Sequence, residues 1–149
     1  MPEALTTLHG RRLGIAATGN LVANTITATP ICTDATIVVG DESSNARAIT
    51  IQLKDSNGKD VAERTVVQAF VLADANGDAI AGTGGSTGIA IGTDGAILAT
   101  LVAKKAFTLI SEADGDIDLT WTDTGTEAAY LALLLPTGRL VISSALTNA

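Results

Sequence analysis

The chain has 149 residues, 46% of them hydrophobic and only 3% aromatic, with nine basic against sixteen acidic side chains and a net charge of −7. This length fits one domain, and its core must be built from Ala, Val, Ile and Leu. The acidic balance argues against nucleic-acid backbones and anionic membranes as partners, and a single cysteine, Cys32, with a single histidine, His9, excludes an internal disulfide and falls short of a zinc ligand set.

In chain order, residues 1–45 are short apolar pieces broken by "TG", "TPICTD" and "GDESSN". The start, "MPEALTTLHGRRLG", lacks the apolar run of a signal peptide, and no stretch approaches the ~20 apolar residues of a membrane span. A protein made and kept in the cytosol is the expectation. The composition changes near Asn45, which predicts an irregular N-terminal arm over 1–45 and a folded domain over 46–149. From Ala46 the apolar runs become regular: "ARAITIQL" (46–53), "RTVVQAFVLA" (64–73), "AILATLV" (96–102), "AFTLI" (106–110), "DIDLTW" (116–121), "AAYLALLL" (128–135) and "RLVISSAL" (139–146). Seven such runs, separated by Gly, Asp and Asn at short spacing, predict an all-β, antiparallel β-sandwich.

Two of the runs also carry helix signals. "VAERTVVQAFVLADANG" has good helix formers and a Gly stop, and "TGTEAAYLALLL" opens on the capping-box pair Thr124 and Glu127. Strands are favoured for both. Each run is of strand length, the first is rich in Val, and the second enters "PTGRLVIS", where Pro136 is preset for a type I or II turn. Residues 81–95, "AGTGGSTGIAIGTDG", read as a loop long enough to be functional or mobile.

Three Asp-rich stretches, "KDSNGKD" (54–60), "ADANGDA" (73–79) and "EADGDID" (112–118), raise the possibility of calcium loops. An EF-hand has its Gly at loop position six; counting back from Gly58, Gly77 and Gly115 puts Leu53, Leu72 and Ile110 where the first Asp must stand. Hairpin turns explain the Asn-Gly and Asp-Gly pairs directly. Asp114, Asp116 and Asp118 alternate along a strand, which predicts a solvated face opposite Ile117, Leu119 and Trp121; an ion site on that face is the residual alternative.

"GGSTG" (84–88) matches the nucleophile-elbow pattern with Ser86 in the nucleophile position, but that motif needs a following helix and a later histidine. His9 lies far upstream. Neither a Walker loop nor a dinucleotide fingerprint is present, and Cys32 reads as a small buried residue. The four aromatics, Phe70, Phe107, Trp121 and Tyr130, sit in strand runs and read as core, which leaves no stacking platform for a sugar. No catalytic residue, cofactor or metal is expected. "HGRR" (9–12) is the only basic cluster besides Lys104-Lys105; it is too short for a nucleic-acid footprint but suits an acidic partner surface.

The phrases "TLHGRRLGIAATGNLVA" (7–23) and "ITIQLKDSNGKDVAERTVVQAFVLAD" (49–74) resemble small structural proteins of tailed bacteriophages, in particular head-decoration (cement) proteins. The second half is similar to immunoglobulin-like modules of phage virion proteins, with "ISEADGDIDLTW" and "AAYLALLLPTGRLVISSA" as consecutive late strands. The sequence departs from antibody-type domains: there is no Cys…Trp…Cys spacing, and Tyr130 lies beyond the tyrosine position of an Asp-x-Gly-x-Tyr corner begun by Asp123 and Gly125. The resemblance implies a protein on the capsid exterior of a virion, assembled in the host cytosol. Its partners would be the major capsid protein and neighbouring copies of itself, as a homo-oligomer or symmetric array. The N-terminal arm would dock on such a partner, with Leu13, Ile15, Leu21, Val22 and Ile26 as apolar anchors and Arg11 and Arg12 pairing with charge. A tail component and a carbohydrate-binding module are the alternatives.

Overall fold

The computed structural model describes residues 31–149. These form nine strands and no helix: β1 (Asp34–Val39), β2 (Ala46–Lys54), β3 (Val66–Leu72), β4 (Gly88–Ile91), β5 (Ala96–Val102), β6 (Ala106–Ile110), β7 (Asp116–Thr122), β8 (Tyr130–Leu134) and β9 (Leu140–Ala145). All seven runs expected as strands are strands, including both segments with helix signals. The pairings are antiparallel throughout, in a four-stranded sheet ordered β1-β2-β7-β4 and a five-stranded sheet ordered β5-β6-β3-β8-β9. In immunoglobulin lettering, β1, β2, β7 and β4 take the A-B-E-D positions, and β3, β8 and β9 take C-F-G. The β5–β6 hairpin is an insertion between D and E that extends the C side of its sheet. The fold is an Ig-like β-sandwich.

Period-two alternation builds the core. Ile49, Ile51 and Leu53 of β2 and Ile117, Leu119 and Trp121 of β7 point to one side of their sheet, and all are buried. They meet Val67, Ala69 and Val71 of β3, Phe107 and Leu109 of β6, and Leu131 and Leu133 of β8 in one contiguous cluster. With so few aromatics, aliphatic interdigitation supplies most of the burial, each full side chain contributing about 1.5–3 kcal/mol.

One domain boundary is corrected. Residues 34–45, expected to belong to the arm, are part of the sandwich. β1 pairs with β2 in register from Asp34↔Lys54 to Val39↔Ile49. The "ESSNA" stretch, which broke the apolar pieces of the expected arm, is a tight hairpin turn. Ser44 and Asn45 have φ of 53° and 64°, and Ser43 and Ala46 exchange both backbone hydrogen bonds at 2.8 and 3.0 Å. Two positive φ values in a two-residue loop define a type I′ turn, whose twist matches that of the flanking strands.

The turns at Gly58, Gly115 and Gly138 are of a different kind from the one at Ser44 and Asn45. In 55–59, 112–116 and 135–139 the amide of Gly58, Gly115 or Gly138 donates to the carbonyl three residues back, and the amide of Asp55, Glu112 or Leu135 donates to the carbonyl four residues on. Only the glycine takes a positive φ. Each is therefore a type I turn closed by a glycine bulge, and Pro136 occupies the position it prefers in that turn. Asp55 reinforces the first by accepting from the amides of Asn57 and Lys59 at 2.8 and 3.0 Å.

The same backbone device sits in different surroundings, which separates strain from crowding. A Cβ on Gly58 would meet nothing within 4 Å, whereas one on Gly115 would lie 2.6 Å from the Val61 carbonyl oxygen and 3.0 Å from Gln52 Nε2. Urea unfolding is expected to show a loss of about 1 kcal/mol for Gly58→Ala, from backbone strain alone. Gly115→Ala should lose about 2–4 kcal/mol, since the clash adds to the strain.

The two lateral sides of the sandwich differ. On one, β1 packs beside β9, and Arg139 pairs with Asp34 at 3.1 Å. On the other, residues 92–95 cross from β4 to β5, the outermost strands of their sheets on that side. The hairpin after β3 carries Gly77 onto the outer face of the five-stranded sheet, where an added Cβ would lie 3.0 Å from Leu140 Cδ2 and 3.3 Å from Ile142 Cδ1.

Candidate functional site

The Gly/Thr-rich stretch 81–95 is not a free loop. Its second part contains β4, paired with β7 from Gly88↔Thr122 to Ile91↔Leu119. Its first part is held by two carboxylates from the β7–β8 corner. Glu127 accepts from the amides of Thr83 and Gly85 at 2.6 and 2.8 Å and from the Thr83 hydroxyl at 2.6 Å. Asp123, only 5% exposed, accepts from the amides of Ser86 and Glu127 at 2.9 and 3.2 Å. Lys104 donates to the Ser86 carbonyl at 2.6 Å, and Lys105 donates to that of Gly82. Amides that would suit an anionic ligand are thus engaged by the chain's own carboxylates.

Ser86 has the surroundings of a structural residue. Its hydroxyl oxygen accepts from the Thr124 amide at 2.9 Å, and a strand, not a helix, follows it. The elbow geometry is not formed. Thr124 and Glu127, read as a capping pair, instead belong to the corner, with Glu127 at the place the tyrosine takes in an Asp-x-Gly-x-Tyr corner.

Burial pushes the Glu127 carboxyl upward, but the Thr83 hydroxyl and the amides of Thr83, Gly85 and Gly84 outweigh it, so the net displacement is below the ordinary value. A carboxyl lowered in the folded state contributes stability above its unfolded pKa and loses it as pH falls through the folded value. Glu127→Gln is accordingly expected to unfold at lower urea than the parent at pH 7. The gap should narrow as pH falls through the folded value, where the parent loses its own charge.

Asp116 and Asp118 lie on the outer face of β7, opposite Ile117, Leu119 and Trp121, as the alternation predicted. Sequence spacing did not reveal Asp94, whose carbonyl accepts from the Asp118 amide at 2.9 Å. Desolvation, then repulsion from Asp118, Asp114 and Glu112, raises the Asp94 carboxyl; desolvation, then Asp114, Asp94 and Asp118, raises Asp116. Beside them is a shallow depression lined by Ala48, Thr50, Gly92, Thr93, Asp118 and Thr120. Among the described residues no His, Cys, Asp or Glu group is arranged to hold a metal ion.

Cys32 is 3% exposed and joins the core; burial pushes its thiol up, against hydrogen bonds with Lys54 and Asp34. Trp121 and Phe107 are core residues, but Phe70 and Tyr130 are half-buried on the opposite, outer face of the five-stranded sheet. That corrects the expectation that all four aromatics are internal. The five strands of this sheet contain no charged residue, whereas the outer face of the other carries Asp34, Lys54, Asp116 and Asp118. On β5 the apolar side chains are open to solvent: Leu98 and Leu101 are each 55% exposed and Val102 52%. The expected docking residues Arg11, Arg12, Leu13, Ile15, Leu21, Val22 and Ile26 lie outside the described residues. Comparison with protein-family models, curated proteins and solved structures finds no match to this chain.

Proposed function

We propose that this chain is a structural protein of a tailed-phage virion that decorates and stabilises the capsid exterior by binding the major capsid protein. The observation that carries the reading is the strand order, A-B-E-D over C-F-G, the arrangement implied by the resemblance of "ISEADGDIDLTW" and "AAYLALLLPTGRLVISSA" to virion Ig-like modules. The pinned 82–88 segment supports it further, because a rigid scaffold presents a surface without reorganising. On this reading the chain performs no catalysis and needs no cofactor. Residues 1–30 reach the capsid, Leu13, Ile15, Leu21, Val22 and Ile26 bury against it, and Arg11 and Arg12 pair with acidic groups there.

Electron microscopy of purified particles tests the location. Density for the sandwich on the head exterior is expected; density in the tail would select a tail component, and absence from particles would reject the virion role. The informative truncation removes residues 1–30, because 34–45 form β1 and its turn. The shortened chain is expected to fold and to lose capsid binding; retained binding would remove the arm from the mechanism.

A further inference from the structure

Among the described residues β5 ends the five-stranded sheet with no strand beyond it, so one row of its backbone N–H and C=O groups has no ladder partner there. Natural edge strands are usually guarded by charge, proline, shortness or bulges. β5 has seven residues, AILATLV, with neither charge nor proline, and Asp94 is the only charged residue from 79 to 103. Its one guard is a pair of bulges, where its pairing with β6 breaks register between Ile97 and Ala99 and between Thr100 and Val102. Those breaks leave Leu98 and Leu101, both 55% exposed, as the most open large leucines among the described residues.

We propose that β5 is an interface between two copies of this chain, strand against strand and antiparallel about a twofold axis. Charge places the contact. A chain of net charge −7 repels its copy over most of its surface, and the sheet margin without charge is where two copies approach at least cost. The strand is also self-complementary. With the axis at Ala99, Ala96 faces Val102, Ile97 faces Leu101 and Leu98 faces Thr100, so every position finds an uncharged partner on the same strand of the other copy. The small Ala99 side chain lets the two backbones close at the centre, and pairing supplies the missing ladder hydrogen bonds. A contact of one strand pair lies at the low end of interface areas, so the dimer is reversible. The opposite side of the sandwich offers no equivalent, since β1 and β9 lie together under the Asp34–Arg139 pair. The interface does not depend on a virion role.

Sedimentation velocity on the full chain over a wide concentration series tests it. A reversible monomer–dimer equilibrium is expected. Leu98→Lys with Leu101→Lys should weaken it on the order of tenfold or more by setting like charges across the axis, with an unchanged circular dichroism spectrum. Val38→Lys, at a 57% exposed site on β1, should leave it unchanged. In a Cys32→Ser background, Ala99→Cys is expected to cross-link to itself, because residues facing across an antiparallel pair have Cα atoms about 4.5–5.5 Å apart, within disulfide reach; Thr36→Cys is not. A chain monomeric at every concentration overturns the proposal, as does association that survives the double lysine variant. Monomers that lose particle binding in that variant would also overturn it and give β5 to a different protein.

Discussion

Gly85→Ala is expected to lower stability by about 3–5 kcal/mol, through backbone strain and overpacking together. Gly85 has φ +86°, and a Cβ there would stand 2.6 Å from Trp121 Cη2 and 2.8 Å from the Thr122 carbonyl oxygen. Trp121 cannot yield, being fully buried in the shared core. Its indole N–H is buried without a hydrogen-bond partner, so the ring is placed by packing, and shifting it disturbs many contacts at once. Gly125 supplies the control: its φ is not positive, and its nearest neighbour would be Asp123 Oδ2 at 3.5 Å, an ordinary contact. Gly125→Ala should stay within about 0.5 kcal/mol of the parent. Urea unfolding of both variants, followed by tryptophan fluorescence, checks the pair; equal losses would show that the 82–88 segment is not seated on Trp121.

The second large effect concerns the end of the sandwich where Arg47 and Asn148 meet. Asn148, 3% exposed, donates to the carbonyls of Asn45 and Asp123 at 2.8 and 2.7 Å, and its side-chain oxygen accepts from Arg47 Nε at 3.1 Å. Arg47 also donates to the carbonyls of Gly40 and Thr147 at 3.1 and 3.0 Å. The network joins the β1–β2 turn, the β7–β8 corner and the segment after β9. Asn148→Ala leaves the buried Asp123 carbonyl without its side-chain donor and Arg47 Nε without its acceptor, at about 1–3 kcal/mol each, and a loss of about 2–4 kcal/mol is expected; the Asn45 carbonyl keeps the Asp123 amide. Arg47→Met should cost a similar amount. The double variant should lose less than the sum, by about 0.5–3 kcal/mol, because the two side chains bond to each other. Strict additivity in denaturant melts would refute the network.

The legible part of the fold is the part whose burial is decided within a strand. β2, β3 and β7 alternate clearly, and their inward residues are the core. β1 and β4 were illegible for a common reason: neither carries a full row of buried side chains, so each owes its strand state to the strand it pairs with. DATIVV buries only Ala35 fully, and GIAI is a four-residue strand inside a Gly/Thr run that becomes one by pairing with β7. The corner carboxylates were hidden in the same way. Thr124 and Glu127 have the spacing of a helix cap, and only the folded chain brings Thr83 and Gly85 to Glu127. Asp94 joins Asp116 and Asp118 through the crossing at 92–95, a proximity that strand alternation alone does not encode.

The pairing of β2 with β7, from Ala46↔Thr122 to Gln52↔Asp116, has a kinetic meaning. The two central strands of the four-stranded sheet are separated by the whole of β3 to β6, so that sheet closes only after a long excursion of chain has been gathered in. Folds dominated by such distant pairings reach the native state in milliseconds to seconds, slowly for their size. During that interval β5, apolar and with no charge within the strand, stays available to any other unfinished chain. Refolding yield should therefore fall with protein concentration more steeply for the parent than for a chain carrying lysine in β5.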